Sequence, residues 1–172
     1  MLEARVTTTR FGGQRMSSVK ERLEKLGLTL PKAAAPVANY VPFVRVGNLV
    51  IISGQICFGP DGKLADAHKG KLGAEVSVEA GIAAARLCAL NVLAQVEAAI
   101  GDLDHGVEQC VRLGGFINAV PSFAGLAPIM NGASDLMVEV LGDRGRHARS
   151  TVGVAELPLD AAVEVEAMFE VR

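Results

Sequence analysis

Near the C-terminus, one arginine and three glutamates stand at spacings that could serve a reaction. Arg149 opens the strand-like run "ARSTVGV", and Glu164, Glu166 and Glu170 alternate along "VEVEAMFEV". A guanidinium can grip a carboxylate through two parallel hydrogen bonds, a geometry that lysine cannot copy. A carboxylate can take a proton from water. Alternation in a strand places Val152 and Val154 on one face of the first run and Arg149, Thr151 and Gly153 on the other. In the second run Val163, Val165, Ala167, Phe169 and Val171 form an apolar face, opposite Glu164, Glu166, Met168 and Glu170. Read as a terminal hairpin over residues 145–171, the two runs put Arg149 and the glutamates on a shared second face. Thr151, Gly153 and Met168 make that face small or apolar in places, which suits packing against another chain. The ordinary alternative is a row of solvated glutamates beside an edge-guarding arginine.

Other constellations are sparse. The three cysteines, Cys57, Cys88 and Cys110, form no CxxC site, and the three histidines, His68, His105 and His147, form neither HExxH nor a close pair. No metal site is expected from these residues. Cys57 and Cys88 read as small core residues, and His147 as a solvated loop histidine within the short basic cluster "DRGRHAR". "GPDGK" lacks the spacing of a phosphate loop and reads as a turn. With 17 basic and 19 acidic residues the net charge is -2, and only 4% of residues are aromatic. Neither feature favours a nucleic-acid partner. The start "MLEARVTTTRFGGQR" has no apolar run, and no window reads as the roughly 20 apolar residues of a membrane span. No membrane partner and a cytoplasmic setting are expected.

The elements that must position these groups are legible in outline. At 172 residues and 50% hydrophobic the chain is sized for one well-filled domain. Residues 1–16 read as a flexible N-terminal extension and 17–172 as a single α+β domain. "SVKERLEKLG" has Ser18 and Glu21 at capping-box spacing and Gly27 as a stop, hence a short helix. "YVPFVRVGNLVIISGQI" is two strands hinged at Gly47-Asn48. "SVEAGIAAARLCALNVLAQVEAAIG" is the longest helix, closed by Gly101. "VEQCVRLGGFINA" is a strand, and "PIMNGASDLMVEVLG" a helix with Pro128 near its start. The order β-β-α-β-α-β-β predicts a mixed sheet with helices on one face.

"IISGQI" (Ile51 to Ile56), "HARSTVGVAELPLD" (His147 to Asp160) and "VEVEAMFEV" (Val163 to Val171) closely resemble the Rid family, the YjgF-type reactive intermediate/imine deaminases, over Pro36 to the C-terminus. The resemblance implies a chorismate-mutase-like α+β fold and a homotrimer with three clefts between neighbouring subunits. It implies hydrolysis of 2-aminoacrylate, 2-iminobutanoate or similar enamines and imines to 2-keto acids and ammonia, without cofactor. By position, Arg149 matches the arginine that binds the substrate carboxylate, and Glu164 the glutamate that positions the attacking water. The Gly54 backbone N–H and the Thr151 carbonyl match groups lining the cleft. Tyr40 and Asn131 fall on pocket positions, and Ser53 flanks Gly54. Some features depart from the family: "ANY" replaces Gly-Pro-Tyr, Thr151 replaces a cysteine, and the segment from Phe123 to Asn131 is longer.

Two other functions share these residues. The same clefts would suit a regulatory trimer that binds small carboxylates without turnover. An endoribonuclease label attaches to the family, but the acidic charge and scarce aromatics support it weakly.

Overall fold

The computed structural model describes residues 17–35 and 39–172. The reading of residues 1–16 as an extension therefore lies outside the described residues. Helix α1 (Val19–Lys25) has the full capping box: the Ser18 hydroxyl accepts from the Glu21 N–H, and the Glu21 carboxylate accepts from the Ser18 N–H. Its Val19 and Leu23 are buried, and Arg22 donates to the Val140 carbonyl at 3.2 Å.

Strands β1 (Phe43–Val46) and β2 (Leu49–Ile56) form the expected hairpin, with Gly47 in the left-handed region at φ 60°. Helix α2 (Val78–Ile100) runs from an N-cap at Ser77 to Gly101, whose φ of 82° needs a residue without Cβ. By length and composition alone this helix is long and apolar enough to cross a membrane. Ala85, Cys88, Ala89, Val92, Leu93 and Val96 are all fully buried in the core, so α2 reads as a core helix. A short helix α3 (Leu103–Gly106), which the pattern did not suggest, leads into β3 (Val107–Asn118). Helix α4 (Leu126–Leu141) follows, then β4 (Ala148–Val154) and β5 (Val163–Val171).

These make one mixed sheet of order β1-β2-β5-β3-β4, with α2 lying on β2 and β5 and α4 on β3 and β4. The α+β class with helices on one face is as expected. The terminal hairpin is not. β4 pairs with β3 in parallel, through the crossover that α4 provides, and β5 inserts between β2 and β3, antiparallel to both. The link between β4 and β5 turns through Pro158–Asp160, where Leu159 and Asp160 hold positive φ of 58° and 57°.

This topology also reverses one face assignment. Arg149, Thr151 and Gly153 lie opposite Leu113, Gly115 and Ile117 of β3, and the same β3 residues lie opposite Ala167, Val165 and Val163 of β5. Paired residues point to one side of a sheet, so Arg149, Thr151 and Gly153 are on the helix side. The glutamates share the other side with Ser150 and Val152, which is exposed. Alternation assigns faces within a strand; only pairing relates the phase of one strand to that of another.

Helices α2 and α4 cross with almost no space between them. A Cβ on Gly132 would stand 2.2 Å from the Ile82 carbonyl oxygen. Gly132→Ala should therefore force the helices apart and destabilise the chain by about 3 kcal/mol. Thermal unfolding should show a midpoint lower by roughly 6–12 °C. An unchanged midpoint would mean that α4 moves aside freely.

Candidate active site

Arg149 projects from the outer strand of the sheet along α4. Its Nη1 donates to Asn131 Oδ1 at 2.9 Å and to Ser134 Oγ at 3.0 Å, and its Nη2 makes a long contact of 3.4 Å to the Ala127 carbonyl. Asn131 and Ser134 are three residues apart on one helix, so both face the same strand. Both Nη1 hydrogens are occupied. Nε and the adjacent hydrogen of Nη2 form the other fork of the guanidinium, and among the described residues Nε has no protein acceptor. That fork has the spacing of a carboxylate's two oxygens. Thr151, two residues along and on the same side, has a buried hydroxyl with no partner among the described residues.

Glu164 is built into a different place. The register of β2 on β5 shifts between Ile52 and Gln55, and this bulge sets Gly54 beneath the Glu164 side chain. A Cβ on Gly54 would lie 1.8 Å from Glu164 Oε1, so any larger residue there would displace the carboxylate from its present place. Burial, and then the neighbouring Glu166 charge, push the Glu164 carboxyl above its ordinary proton affinity. Ser53, also in the bulge, donates its hydroxyl to the Val41 carbonyl at 2.7 Å and its N–H to the Pro42 carbonyl at 2.9 Å. It thereby ties down the segment that carries Tyr40. Tyr40, Pro42, Gly54, Gln55, Leu159 and Glu164 line a cleft of about 400 Å³.

The seven sequence-predicted residues thus fall into two groups. Arg149, Asn131 and Thr151 stand together on the helix side at the edge of the sheet. Glu164, Gly54, Ser53 and Tyr40 stand together around the cleft. β3 separates β4 from β5, which puts the two strands about 10 Å apart, and the two key side chains leave opposite faces. Within one chain Arg149 and Glu164 do not meet.

Two residues at the first group were not read as part of any site. Ser134 lies one helical turn beyond Asn131, a spacing that the sequence displays. His147 is not a solvated loop residue. It is half-buried, with Nδ1 2.6 Å from the Gly145 carbonyl oxygen and Nε2 3.0 Å from Ser134 Oγ. Burial, and more weakly the Arg149 charge, hold its proton affinity below the ordinary value against the opposing pull of the Gly145 carbonyl. Cys57 and Cys88 are buried, as read, and the Cys88 thiol donates to the Val163 carbonyl at 3.3 Å.

Residues 20–171 match the family model described as "YjgF/chorismate mutase-like, putative endoribonuclease". Protein TCP17 of Trypanosoma cruzi is 48% identical over 155 residues, covering 90% of this chain and 94% of that protein. A 2-iminobutanoate/2-iminopropanoate deaminase of Dermatophagoides farinae is 33% identical over 145 residues, covering 84% of this chain and 95% of that enzyme. The crystal structure of Atu1372 from Agrobacterium tumefaciens, a protein described as of unknown function, superposes with a TM-score of 0.83 at 46% identity, covering 90% and 92% of the two chains. The family match spans nearly all of the described fold, including both residue groups, and this chain belongs to the YjgF/chorismate mutase-like family, the Rid-type proteins.

Proposed function

We propose that this chain is an imine/enamine deaminase, hydrolysing 2-aminoacrylate, 2-iminobutanoate or a similar imino acid to the 2-keto acid and ammonia. The observation that carries the reading is the Arg149 guanidinium, held from behind by α4 with its Nε unpaired among the described residues. The deaminase of Dermatophagoides farinae, similar along most of its length, supports the same chemistry. Arg149 and Glu164 lie in separate groups, so the site is completed when the Arg149 group of one chain meets the Glu164 cleft of a neighbouring copy. A homotrimer has three such junctions.

The substrate is small and its C=N carbon is already electrophilic. Arg149 fixes the carboxylate, and the Thr151 carbonyl accepts from the imine N–H and so favours the protonated, more reactive form. Glu164 takes a proton from water as the oxygen attacks the C=N carbon. The resulting carbinolamine carries the former water oxygen, and loss of ammonia leaves the keto group. A carboxyl of raised proton affinity suits both parts of this exchange, accepting a proton from water and returning it to nitrogen.

An RNA substrate fits less well. Among the described residues of one chain no lysine or arginine lines the Glu164 cleft, and the net charge is -2.

The direct test couples the protein to a threonine dehydratase and follows semicarbazone formation from 2-iminobutanoate. Competition with semicarbazide is the expected result. Glu164→Gln should lower kcat by about 10²-fold with little change in KM. In the wild type, kcat should fall with decreasing pH through a pKa above that of an ordinary glutamate, because protonated Glu164 cannot accept from water. If the wild type leaves the semicarbazone yield untouched while still binding 2-oxobutanoate, the chain is a carboxylate-binding protein and the deaminase reading fails.

A further inference from the structure

Arg149 stands on an exposed edge strand, where a free arginine would sample many rotamers and a ligand would have to order it. A directional chain of hydrogen bonds removes that freedom. The Gly145 carbonyl can only accept, so at 2.6 Å the His147 Nδ1 must carry its hydrogen. In the neutral imidazole Nε2 is then an acceptor, and Ser134 Oγ, 3.0 Å away, must donate to it. With its proton committed, the Ser134 oxygen presents lone pairs to Arg149 Nη1 at 3.0 Å. The far end of the chain is also fixed. Gly145 is buried, and a Cβ there would lie 2.1 Å from the Met137 carbonyl oxygen of α4.

We propose that Ser134 and His147 are positioning residues for Arg149, aligning its Nε/Nη2 fork for a carboxylate. This rests on the reading of Arg149 as the carboxylate site and adds the means by which the fork is aimed. Asn131 supplies the second acceptor on Nη1, and two acceptors one helical turn apart fix the guanidinium plane as well as its place. Without the His147 acceptor, the Ser134 hydroxyl would be free to turn its proton toward the arginine. That would convert an acceptor into a repelling donor.

The test reads binding, so it does not depend on turnover. The probes are 2-oxobutanoate, by titration calorimetry, and 2-oxobutanamide, which has the same skeleton without the carboxylate. Ser134→Ala and His147→Phe should each weaken 2-oxobutanoate binding by about tenfold, as expected for a lost charge-assisted alignment. Since the two act in series, the double variant should also lose about tenfold and not a hundredfold. Binding of the amide should be unchanged in all three. Ser134→Ala removes one oxygen and keeps the helix, so it answers the question even if His147→Phe folds poorly. Wild-type affinity in Ser134→Ala would overturn the inference. So would equal weakening of both probes, the mark of a general structural defect. If the wild type binds no 2-oxobutanoate, the carboxylate role of Arg149 falls and this inference with it. Turnover, read separately with semicarbazide, tells that failure from a failure of the deaminase reading.

Discussion

Arg149→Ala should lower kcat/KM for 2-iminobutanoate by about 10²–10⁴-fold, because the two charge-assisted hydrogen bonds of the fork are worth roughly 1.5–3 kcal/mol each. The fold should survive. Arg149 is exposed, and its acceptors, Asn131 Oδ1, Ser134 Oγ and the Ala127 carbonyl, sit at an open edge of the sheet where water can replace it. Arg149→Lys should recover only part of the loss. An ammonium keeps the charge but cannot reach back to Asn131 and Ser134 while donating two parallel bonds forward. The measurement is the semicarbazide competition assay across enzyme concentrations, with thermal unfolding as a control on folding. Turnover in Arg149→Ala within a few-fold of wild type would remove arginine from the site. The Glu164 cleft would then have to hold substrate by itself.

A second large effect comes from the separation of Arg149 and Glu164. If each site takes Arg149 from one chain and Glu164 from its neighbour, two inactive variants should complement each other. Arg149→Ala and Glu164→Gln, co-expressed with different tags and purified as mixed assemblies, should regain activity. In a randomly mixed 1:1 trimer roughly a quarter of the junctions pair an intact arginine with an intact glutamate, so activity should rise to about a quarter of wild type. Each variant alone supplies the baseline. A mixture no more active than the mean of its parents would place the whole site within one chain. A monomeric mass by light scattering would do the same. The first result would require Glu164 and Arg149 to act separately, since they leave opposite faces of the sheet with β3 between their strands.

Much of this molecule is written in short stretches. The capping box of Ser18 and Glu21, the Ser77 cap and the left-handed Gly101 of α2, and the Gly47-Asn48 hinge each depend on residues within a few positions. The side chains of the proposed chemistry stand in short runs too, in "ARSTVGV" and "VEVEAMFEV". The family follows from the same motifs, and the match over residues 20–171 agrees with it. The chain's own pattern could also have drawn attention to Ser134, three residues beyond Asn131, and to His147, two before Arg149.

Which groups stand together was decided elsewhere. The partner of Arg149 in the sheet is Leu113, far upstream, and that pairing turns Arg149 to the helix side. Nothing local in "ARSTVGV" distinguishes that from a hairpin with β5, since both satisfy the same alternation. β5 inserts between β2 and β3, where its apolar face is covered by α2, and the edge position falls to β4. The proton affinity of Glu164 is likewise a property of the folded chain, arising from its burial and then from the neighbouring Glu166 charge. Sequence determined most of the elements, the candidate site residues and the family, because these are set by local sterics, capping and side-chain chemistry. Tertiary structure alone decided the strand order, the faces and the grouping of the site. Those depend on which long-range pairing buries the most apolar surface, a quantity that belongs to the whole chain.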